Sequence, residues 1–352
     1  MKIALITDTH FGVRNDSRVL MDYQKKFFDD IFFPYLDDNK INNIIHLGDL
    51  VDKRKTINFR TLSNLRECFI IPISQRSINT HILVGNHDMY YKNTNQVNSI
   101  NELYCNDPCI HVYDKPETID LNIKLCLVPW VCPENEKEVF EELEFTDAQI
   151  ILGHFAITGF TMQKGYVAPM GLNKSLFDRF DMIFSGHFHY KSDDGHIYYL
   201  GNPYETMWSD YNIPKGFHIF DTETRSLEFI QNPYKLFHSL IYNDYQPTID
   251  YVKGELDYIE NCYVKIVVAN KSNQSNFDLF VDRIYSHSPA DVTIIEDFSE
   301  FNIDEDIDEA EDTMTILGKY VDGLTLGVDK DILNSKINSL YVEALNLNDN
   351  IS

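Results

Sequence analysis

The chain has 352 residues, of which 43% are hydrophobic, enough to fill a sizeable core spread over two or three domains. Its formal net charge of -25 argues against strong, self-sufficient binding of nucleic acid, because that affinity depends on neutralising phosphates. No apolar run is long enough to span a membrane, and the six cysteines form no CxxC pair, which excludes a disulfide scaffold. The N-terminus enters an apolar strand without a cleavable signal, so we expect a cytoplasmic protein.

Five stretches of the chain share one pattern, in which a short apolar run leads through a turn to a residue type that binds metals. In chain order they are MKIALITDTH (1–10), IIHLGD (44–49), HILVGNHD (81–88), IILGHF (150–155) and MIFSGHFH (182–189). Each run is typical of a buried strand in a largely parallel sheet. Strands that leave the same edge of such a sheet would bring seven side chains into one crevice. These are Asp8, His10, Asp49, Asn86, His154, His187 and His189.

The chemistry of these seven side chains indicates a metal site. Two carboxylates, one amide oxygen and four imidazoles are too many donors for one tetrahedral zinc, but they suit two divalent ions bridged by a carboxylate. Nitrogen and oxygen donors without thiolate favour manganese, iron or zinc over calcium or copper(I). We expect manganese first, with magnesium as an alternative. A lone histidine at a strand end is usually an ordinary polar residue, but five repeats of the pattern favour a shared site.

The motifs DTH, GDLVDKR, GNHD, GH and GHFH, in this order, resemble those of the calcineurin-like metallophosphoesterase superfamily. The resemblance implies an α/β fold (α+β by some schemes), namely a β-sandwich flanked by helices, with a dinuclear metal centre. It also implies which residues hold each ion. Asp8, His10, Asp49 and His189 would hold one metal, and Asp49, Asn86, His154 and His187 the other, with Asp49 as the bridge.

His87 directly follows the ligand Asn86 and cannot easily point at the same ion. Its imidazole is therefore free to donate a proton to a leaving oxygen or to stabilise it, as the matching histidine of the superfamily does. Asp52 is a candidate to orient His87 and to raise its pKa through an opposite charge. The alternative for Asp52 is a carboxylate that caps a helix N-terminus. The expected reaction is hydrolysis of a phosphate ester by two metals.

Two later segments narrow the resemblance. GNPYETMW (201–208) and PKGFHIFD (214–221) look like the end of the nuclease domain in SbcD-type DNA recombination nucleases, a family that includes tailed-phage subunits. This resemblance implies an exonuclease or endonuclease that acts on DNA ends in recombination, repair and replication. It also implies a homodimer within a heterotetramer with an SMC-like coiled-coil ATPase, in the bacterial host cytoplasm if the chain is phage-encoded.

Two other functions compete with the nuclease. GDLVDKR is close to the signature of metal-dependent protein phosphatases, so a phosphomonoesterase is the main alternative. The GHFH ending and the NPYETMW segment fit a nuclease better. A non-enzymatic binding module with a decayed metal site is the third reading, but all seven ligand positions and His87 are intact.

The charge is unevenly distributed along the chain. Residues 291–312 contain eleven Asp and Glu and no Lys or Arg, whereas Lys53, Arg54 and Lys55 follow the bridging Asp49. Together with Arg14, these basic residues could hold a phosphate backbone beside the metals while a partner supplies most of the affinity. The alternative is an ordinary solvated surface.

Pattern changes divide the chain into four parts. Residues 1–234 carry the motifs and form the predicted nuclease domain. Residues 235–298 contain strand, helix and strand patterns, and would form a small α+β domain that, by resemblance, caps the active site. Residues 299–315 form an acidic linker.

Residues 316–352 are predicted to form a helical segment that docks on the ATPase. The alternative is that this helix folds back on the capping domain. Its apolar stripe contains Ile332, Leu333, Ile337, Leu340 and Leu345.

Overall fold

The structure, a computed structural model, describes residues 1–163, 166–244 and 256–296. The predicted acidic linker (299–315) and the docking segment (316–352), with its stripe from Ile332 to Leu345, lie outside the described residues. The predictions made for those two segments therefore stay predictions.

In the described residues, strands and α-helices alternate along most of the first 150 residues, and strands predominate after that. The strands are β1 (Lys2–Ile6), β2 (Asn43–His46), β3 (Asn79–Leu83), β4 (Ile110–Tyr113), β5 (Glu117–Asp120), β6 (Lys124–Val128), β7 (Ile150–His154), β8 (Thr161–Gln163), β9 (Tyr166–Val167), β10 (Met182–Gly186), β11 (Ser192–Asp193), β12 (Ile197–Tyr199), β13 (Gly216–Asp221), β14 (Leu227–Gln231), β15 (Phe237–Asn243), β16 (Tyr263–Asn270) and β17 (Asp291–Ile295). The α-helices are α1 (Arg18–Phe27), α2 (Phe33–Asn39), α3 (Phe59–Leu65), α4 (Ile71–Arg76), α5 (Ser99–Tyr104), α6 (Glu136–Phe145) and α7 (Gln274–Ser286). Single π-helical segments, Phe28–Phe32 and Arg66–Ile70, join α1 to α2 and α3 to α4.

Two six-stranded sheets form the body of the protein. The first has the order β14-β13-β1-β2-β3-β4 and the second β11-β12-β10-β7-β6-β5. Successive residues of β1 point to opposite faces, as strand geometry requires. Ile3 and Leu5 pack with Leu152 and Phe184 of the other sheet, whereas Ala4 and Ile6 pack in the cluster that contains the helices. The sheets therefore face each other across an apolar core, and the predicted β-sandwich flanked by helices is confirmed.

The expectation that all five motif strands leave one sheet edge is wrong. β1, β2 and β3 are parallel neighbours in the first sheet, while β7 and β10 are parallel neighbours in the second. The motif strands still end at a common place, because Leu47 just after β2 accepts a hydrogen bond from His154 at the end of β7. The site therefore lies where the ends of two facing sheets meet.

The helical segment after the first motif packs its aromatic residues into the core. Phe27, Phe28 and Phe32 are fully buried in the cluster that covers the outer face of the first sheet. Their rings contact one another, and that of Phe27 also contacts Tyr204, so these aromatic residues belong to the core.

A small three-stranded sheet follows the sandwich. β15, β16 and β17 are all parallel, and α7 packs on this sheet through Phe277, Phe280 and Ile284. The strand, helix and strand predicted from the sequence between residues 262 and 298 are confirmed. The buried Glu205 accepts hydrogen bonds from the backbone N–H groups of Leu236 (2.7 Å) and Phe237 (3.0 Å), and so fixes the start of β15 on the sandwich.

Candidate metal centre

Four of the predicted ligands have left-handed backbone conformations. The φ angles are 52° at Asp8, 42° at His10, 56° at Asp49 and 83° at His187. Non-glycine residues seldom adopt positive φ, and each such residue costs roughly 1 to 2 kcal/mol. The sharp turns directly after the strands aim the side chains into the space between the sheet ends, so this strain serves the geometry of the site.

One cluster of ligand atoms comes from the first and last motifs. The Nε2 atoms of His10 and His189 lie 3.0 Å apart. Oδ1 of Asp8 lies 3.9 Å from Nε2 of His10 and 4.0 Å from Nε2 of His189. Asp8 is fixed by further contacts, since its carboxylate accepts hydrogen bonds from the Thr7 hydroxyl and the His187 N–H. Three donor groups thus converge at one point.

A second cluster lies beside the first. Oδ1 of Asn86 is 3.0 Å from Nε2 of His154 and 2.9 Å from Nδ1 of His187. Oδ2 of Asp49 is 3.3 Å from Nε2 of His154 and 3.8 Å from Nε2 of His10. Asp49 therefore reaches both clusters, which is the position that a bridging carboxylate would need.

These side chains fit a pair of divalent cations. The Nδ1–H of His154 donates to the Leu47 carbonyl (2.6 Å), so Nε2 is the ring nitrogen that faces Asn86 and Asp49 and that could bind a metal once deprotonated. Imidazole, carboxylate and amide donors converge without a thiolate, a donor set that suits manganese, iron or zinc. All seven predicted ligands are brought together, and their assignment to two ions remains a proposal.

The electrostatics of the pocket also favour cations. Burial lowers the pKa of His10, but the carboxylates of Asp52, Asp49 and Asp8 outweigh burial and raise it to about 9. His154 behaves alike, since Asp49 raises its pKa to about 9 against burial. The carboxylates thus attract positive charge into a buried space, and metal ions would compete with these protons.

His87 is held differently from the prediction. Its Nδ1–H donates to the backbone carbonyl of Asp52 at 2.6 Å, whereas Oδ1 of Asp52 lies 3.5 Å from Nδ1 of His10. The Asp52 carboxylate thus faces a metal-ligand candidate, and the expected carboxylate pairing with His87 is wrong. The alternative role as a helix cap is also wrong, because Asn58 caps α3. His87 lies close to His10 and Asp49, within the same 4.8 Å group of ligand atoms.

Asp88 is a structural residue that the sequence analysis missed. Its buried carboxylate accepts hydrogen bonds from the N–H groups of Asp49 (2.8 Å), Leu50 (3.0 Å), Val51 (3.2 Å) and Gly85 (2.9 Å). Burial and the nearby Asp49 carboxylate raise the pKa of Asp88 to about 7, while its backbone donors lower it. Asp88 fixes the loop that carries Asp49. Its position beside His87 in GNHD was the available signal.

The segment that runs from GNPYETMW to PKGFHIFD (201–221) supports the loop of His189. Lys215 is buried, and its Nζ donates to the His189 carbonyl (2.9 Å) and to Oδ1 of Asp210 (2.5 Å). Gly201 has a φ of 72°, and a Cβ there would lie 3.0 Å from the same carbonyl oxygen. The two quoted motifs thus back the last metal-ligand candidate.

The basic residues near the site already have protein partners. The guanidinium of Arg14 lies over the rings of Tyr263 (4.9 Å) and Phe237 (5.8 Å), at the junction with the small sheet. Lys53 forms an ion pair with Asp16 (3.2 Å). Arg54 is partly buried, and Lys55 is exposed, with Nζ 5.7 Å from the centre of the Tyr90 ring. Contact of these four residues with DNA remains a proposal.

The comparisons with known proteins agree with the motifs. A family model described as calcineurin-like phosphoesterase matches residues 1–191. The chain is 32% identical to "Exonuclease subunit 1" of Enterobacteria phage T4 over 352 residues, covering 98% of this chain and 99% of that protein.

Solved structures give weaker matches. An archaeal phosphodiesterase matches 66% of this chain and 100% of its own, at 13% identity and a TM-score of 0.32. The purple acid phosphatase PPD1 from yellow lupin (Lupinus luteus) seeds matches 54% of this chain and 38% of its own, at 17% identity and a TM-score of 0.32.

Among helices of the described residues, none has the length and apolarity to cross a membrane.

Proposed function

This chain belongs to the calcineurin-like phosphoesterase family, and we propose that it is a metal-dependent nuclease that hydrolyses phosphodiester bonds in DNA. The observation that carries this proposal is the 32% identity to phage T4 exonuclease subunit 1, which extends over 98% of the chain. A match of that extent includes the segments beyond the family model, such as residues 201–221, where a generic phosphoesterase would give no reason for similarity.

Two divalent ions would fit the centre. Asp8, His10, Asp49 and His189 would hold one, and Asp49, Asn86, His154 and His187 would hold the other. When bound, such a pair lowers the pKa of a water molecule and neutralises charge on the phosphate. Manganese suits these donors best, with magnesium as the alternative.

The protein itself supplies position and a proton-transfer group. The Asp52 carbonyl can only accept, so Nδ1 of His87 carries a hydrogen and Nε2 is the atom that can hold or release a proton. A protonated Nε2 could donate to the leaving oxygen as the ester bond breaks. Asp88 and Lys215 hold the loops of Asp49 and His189 in place, so the donors need not reorganise when substrate binds.

The finer features of the proposal concern partners and place. The T4 relative is named as a subunit, which supports a partner for this chain. We take the partner to be an SMC-like coiled-coil ATPase that binds residues 316–352, with a homodimer of this chain in a heterotetramer. The -25 charge gives the reason for the partner, since a chain this acidic holds duplex DNA poorly. The site of action would be DNA ends in the host cytoplasm.

One assay tests the proposed reaction. Purified protein is incubated with manganese and either end-labelled single- and double-stranded DNA or a phosphopeptide. The expected result is release of nucleotides from DNA only, and of none after chelation. The matched control is Asp49→Asn, which removes the bridging charge and should abolish cleavage. Release of phosphate from the peptide with intact DNA would favour the phosphomonoesterase instead.

A further inference from the structure

A cavity opens directly beside the metal centre. It has a volume of about 350 Å³, and its lining includes His154, Trp130, Cys132, Phe155 and Leu172. The Trp130 ring centre lies 4.8 Å from that of His187 and 5.8 Å from that of His154. A half-buried indole therefore joins two metal-ligand candidates to an apolar space.

The wall that carries Trp130 is preformed. The backbone N–H of Trp130 donates to the carbonyl of Val84, two residues before Asn86, at 2.8 Å. The Asn135 side chain donates to the Trp130 carbonyl (2.9 Å) and accepts from the Cys132 N–H (2.8 Å). These bonds fix the backbone that carries Trp130 before any ligand arrives, and small-molecule sites are usually preformed in this way.

Another part of the cavity lining, at Ala156, Gly171 and Leu172, is also fixed by backbone contacts. The Leu172 N–H donates to the carbonyl of Ala156 at 2.7 Å, and Thr158 N–H donates to the Leu172 carbonyl at 3.2 Å. A Cβ at Gly171 would lie 2.4 Å from the Ala156 oxygen, so only glycine allows this approach. These contacts hold the backbone of Gly171 and Leu172 close to that of Ala156, so this part of the cavity lining is well defined.

The chemistry of the cavity lining is split between one imidazole and a set of apolar groups. His154 is the metal-ligand candidate that lines the cavity, and an anion would bind at the cations proposed beside it. The other lining residues are mainly apolar, and the exposed Glu136 is also among them. A carboxylate there repels phosphate and accepts N–H donors. A nucleotide has the same split, because an anionic phosphate is joined by a sugar to a flat aromatic ring that carries N–H groups.

Resting on the proposed nuclease function, we propose that this cavity binds one unpaired nucleobase of the cleaved DNA strand, stacked on Trp130, next to the phosphate at the metals. A paired base could not enter, since its neighbours and its partner strand occupy both faces and the hydrogen-bonding edge. The cavity therefore selects single strands and frayed ends. Stacking in this cavity would contribute substrate affinity that does not depend on positive charge.

Binding of the base is measured first, without metal and without turnover. The chain has two tryptophans, so Trp208→Phe leaves Trp130 as the sole indole fluorophore. Thymidine should quench this fluorescence saturably, whereas 2-deoxyribose, the same ligand without its base, should not. Leu172→Phe fills the cavity and should weaken the thymidine effect at least fivefold. Equal responses to both ligands would overturn the proposal.

Cleavage is measured next, on single-stranded oligonucleotides that carry one abasic residue at each position in turn. In the manganese-loaded protein, loss of the base beside the scissile phosphate should slow cleavage by about 5- to 150-fold, the worth of one base–aromatic stack. The ratio of intact to abasic rates should fall to near one in Trp130→Ala, whatever its absolute rate.

The outcomes separate this proposal from the nuclease function. Equal cleavage of intact and abasic strands, or an abasic penalty that persists in Trp130→Ala, overturns the base site and leaves the nuclease standing. Failure to cleave either strand overturns both.

Discussion

At the scale of single residues, substitution of His87 should distinguish loss of metal binding from loss of catalysis. We expect His87→Ala to keep both metals and to lose about 10²-fold or more in turnover, the usual contribution of a positioned acid. Manganese titration calorimetry and kcat on short single-stranded DNA measure the two effects. Asn86→Ala is the matched control and should lose metal affinity. If His87→Ala loses affinity in the same proportion as turnover, His87 is a ligand, consistent with its place near His10 and Asp49.

Asp88 tests how much the support of the ligand loops contributes to metal binding. The hydrogen bonds described for its carboxylate all come from backbone N–H groups of those loops. Asp88→Asn has the same shape, but its amide nitrogen faces N–H groups that need an acceptor. We expect a loss of about 2 to 4 kcal/mol in the free energy of unfolding, from donors left without acceptors. Metal affinity should fall about 10- to 100-fold, as for other groups that support ligands. Chemical denaturation and calorimetry measure both, with the exposed Asp178→Asn as control.

The seven ligand candidates could be found from the sequence because each follows an apolar run through a turn. The support of these ligands could not. His87 is oriented by the backbone carbonyl of Asp52, which any residue would supply, so the identity of residue 52 carries no signal for that contact. Asp88 accepts from N–H groups that lie up to 39 residues away in sequence, a proximity that only the folded loops create.

At the scale of elements, β3 contains a pH-sensitive residue that is not among the predicted metal ligands. His81 is buried, its Nδ1 lies 2.7 Å from the Tyr113 hydroxyl, and burial with the nearby His111 lowers its pKa to about 4. The unfolded chain, with an ordinary pKa near 6.5, binds this proton more readily. The contribution of neutral His81 to the free energy of unfolding is therefore fully present above pH 6.5 and is lost as the pH falls from about 6.5 to 4.

We expect His81→Gln to reduce this pH dependence. In that window, the slope of the unfolding free energy against pH should decrease by up to about 1.4 kcal/mol per pH unit, which corresponds to one proton. Urea unfolding of the metal-free proteins at pH 4.5 to 7 gives the two slopes. Identical slopes would mean that His81 is protonated equally in the folded and unfolded chains.

The segment that backs His189 contains a buried ion pair. In Lys215→Met, Asp210 keeps its buried carboxylate but loses the ammonium that lowers its pKa. We expect a loss of about 3 to 5 kcal/mol in the free energy of unfolding, because an unpaired charge stays buried. The exposed pair of Lys174 with Asp194 is the matched control, and Lys174→Met should cost about 0 to 1 kcal/mol. Equal effects in thermal unfolding would contradict the special role of Lys215.

Strands were easier to predict than their arrangement. The apolar runs of β1, β2, β3, β7 and β10 are all present as strands, as are β16 and β17. Their division between two sheets could not be read from the sequence, because both faces of each central strand are apolar. Such a run fits equally well into one doubly covered parallel sheet or into a sandwich that has helices outside.

At the scale of the whole molecule, the proposed partner segment is separable from the metal centre. Deleting residues 316–352 removes none of the ligand candidates, so manganese-dependent cleavage of short single-stranded DNA should persist. Association with an SMC-like ATPase should be lost, and with it any ATP-stimulated cleavage of duplex. Co-purification of full-length and truncated chains with the ATPase measures this. Unchanged affinity of the truncated chain would assign the segment to the capping domain instead.

The left-handed turns at the ligands have a consequence for how such a protein changes over generations. Asp8, His10, Asp49 and His187 hold conformations that glycine or asparagine would adopt more cheaply, and two of them are buried acids close together. Random substitution at these places would often make the metal-free chain more stable, so drift without selection should erode the centre first. At these four turns the metal centre and the folding stability of the metal-free chain therefore make opposite demands on the sequence.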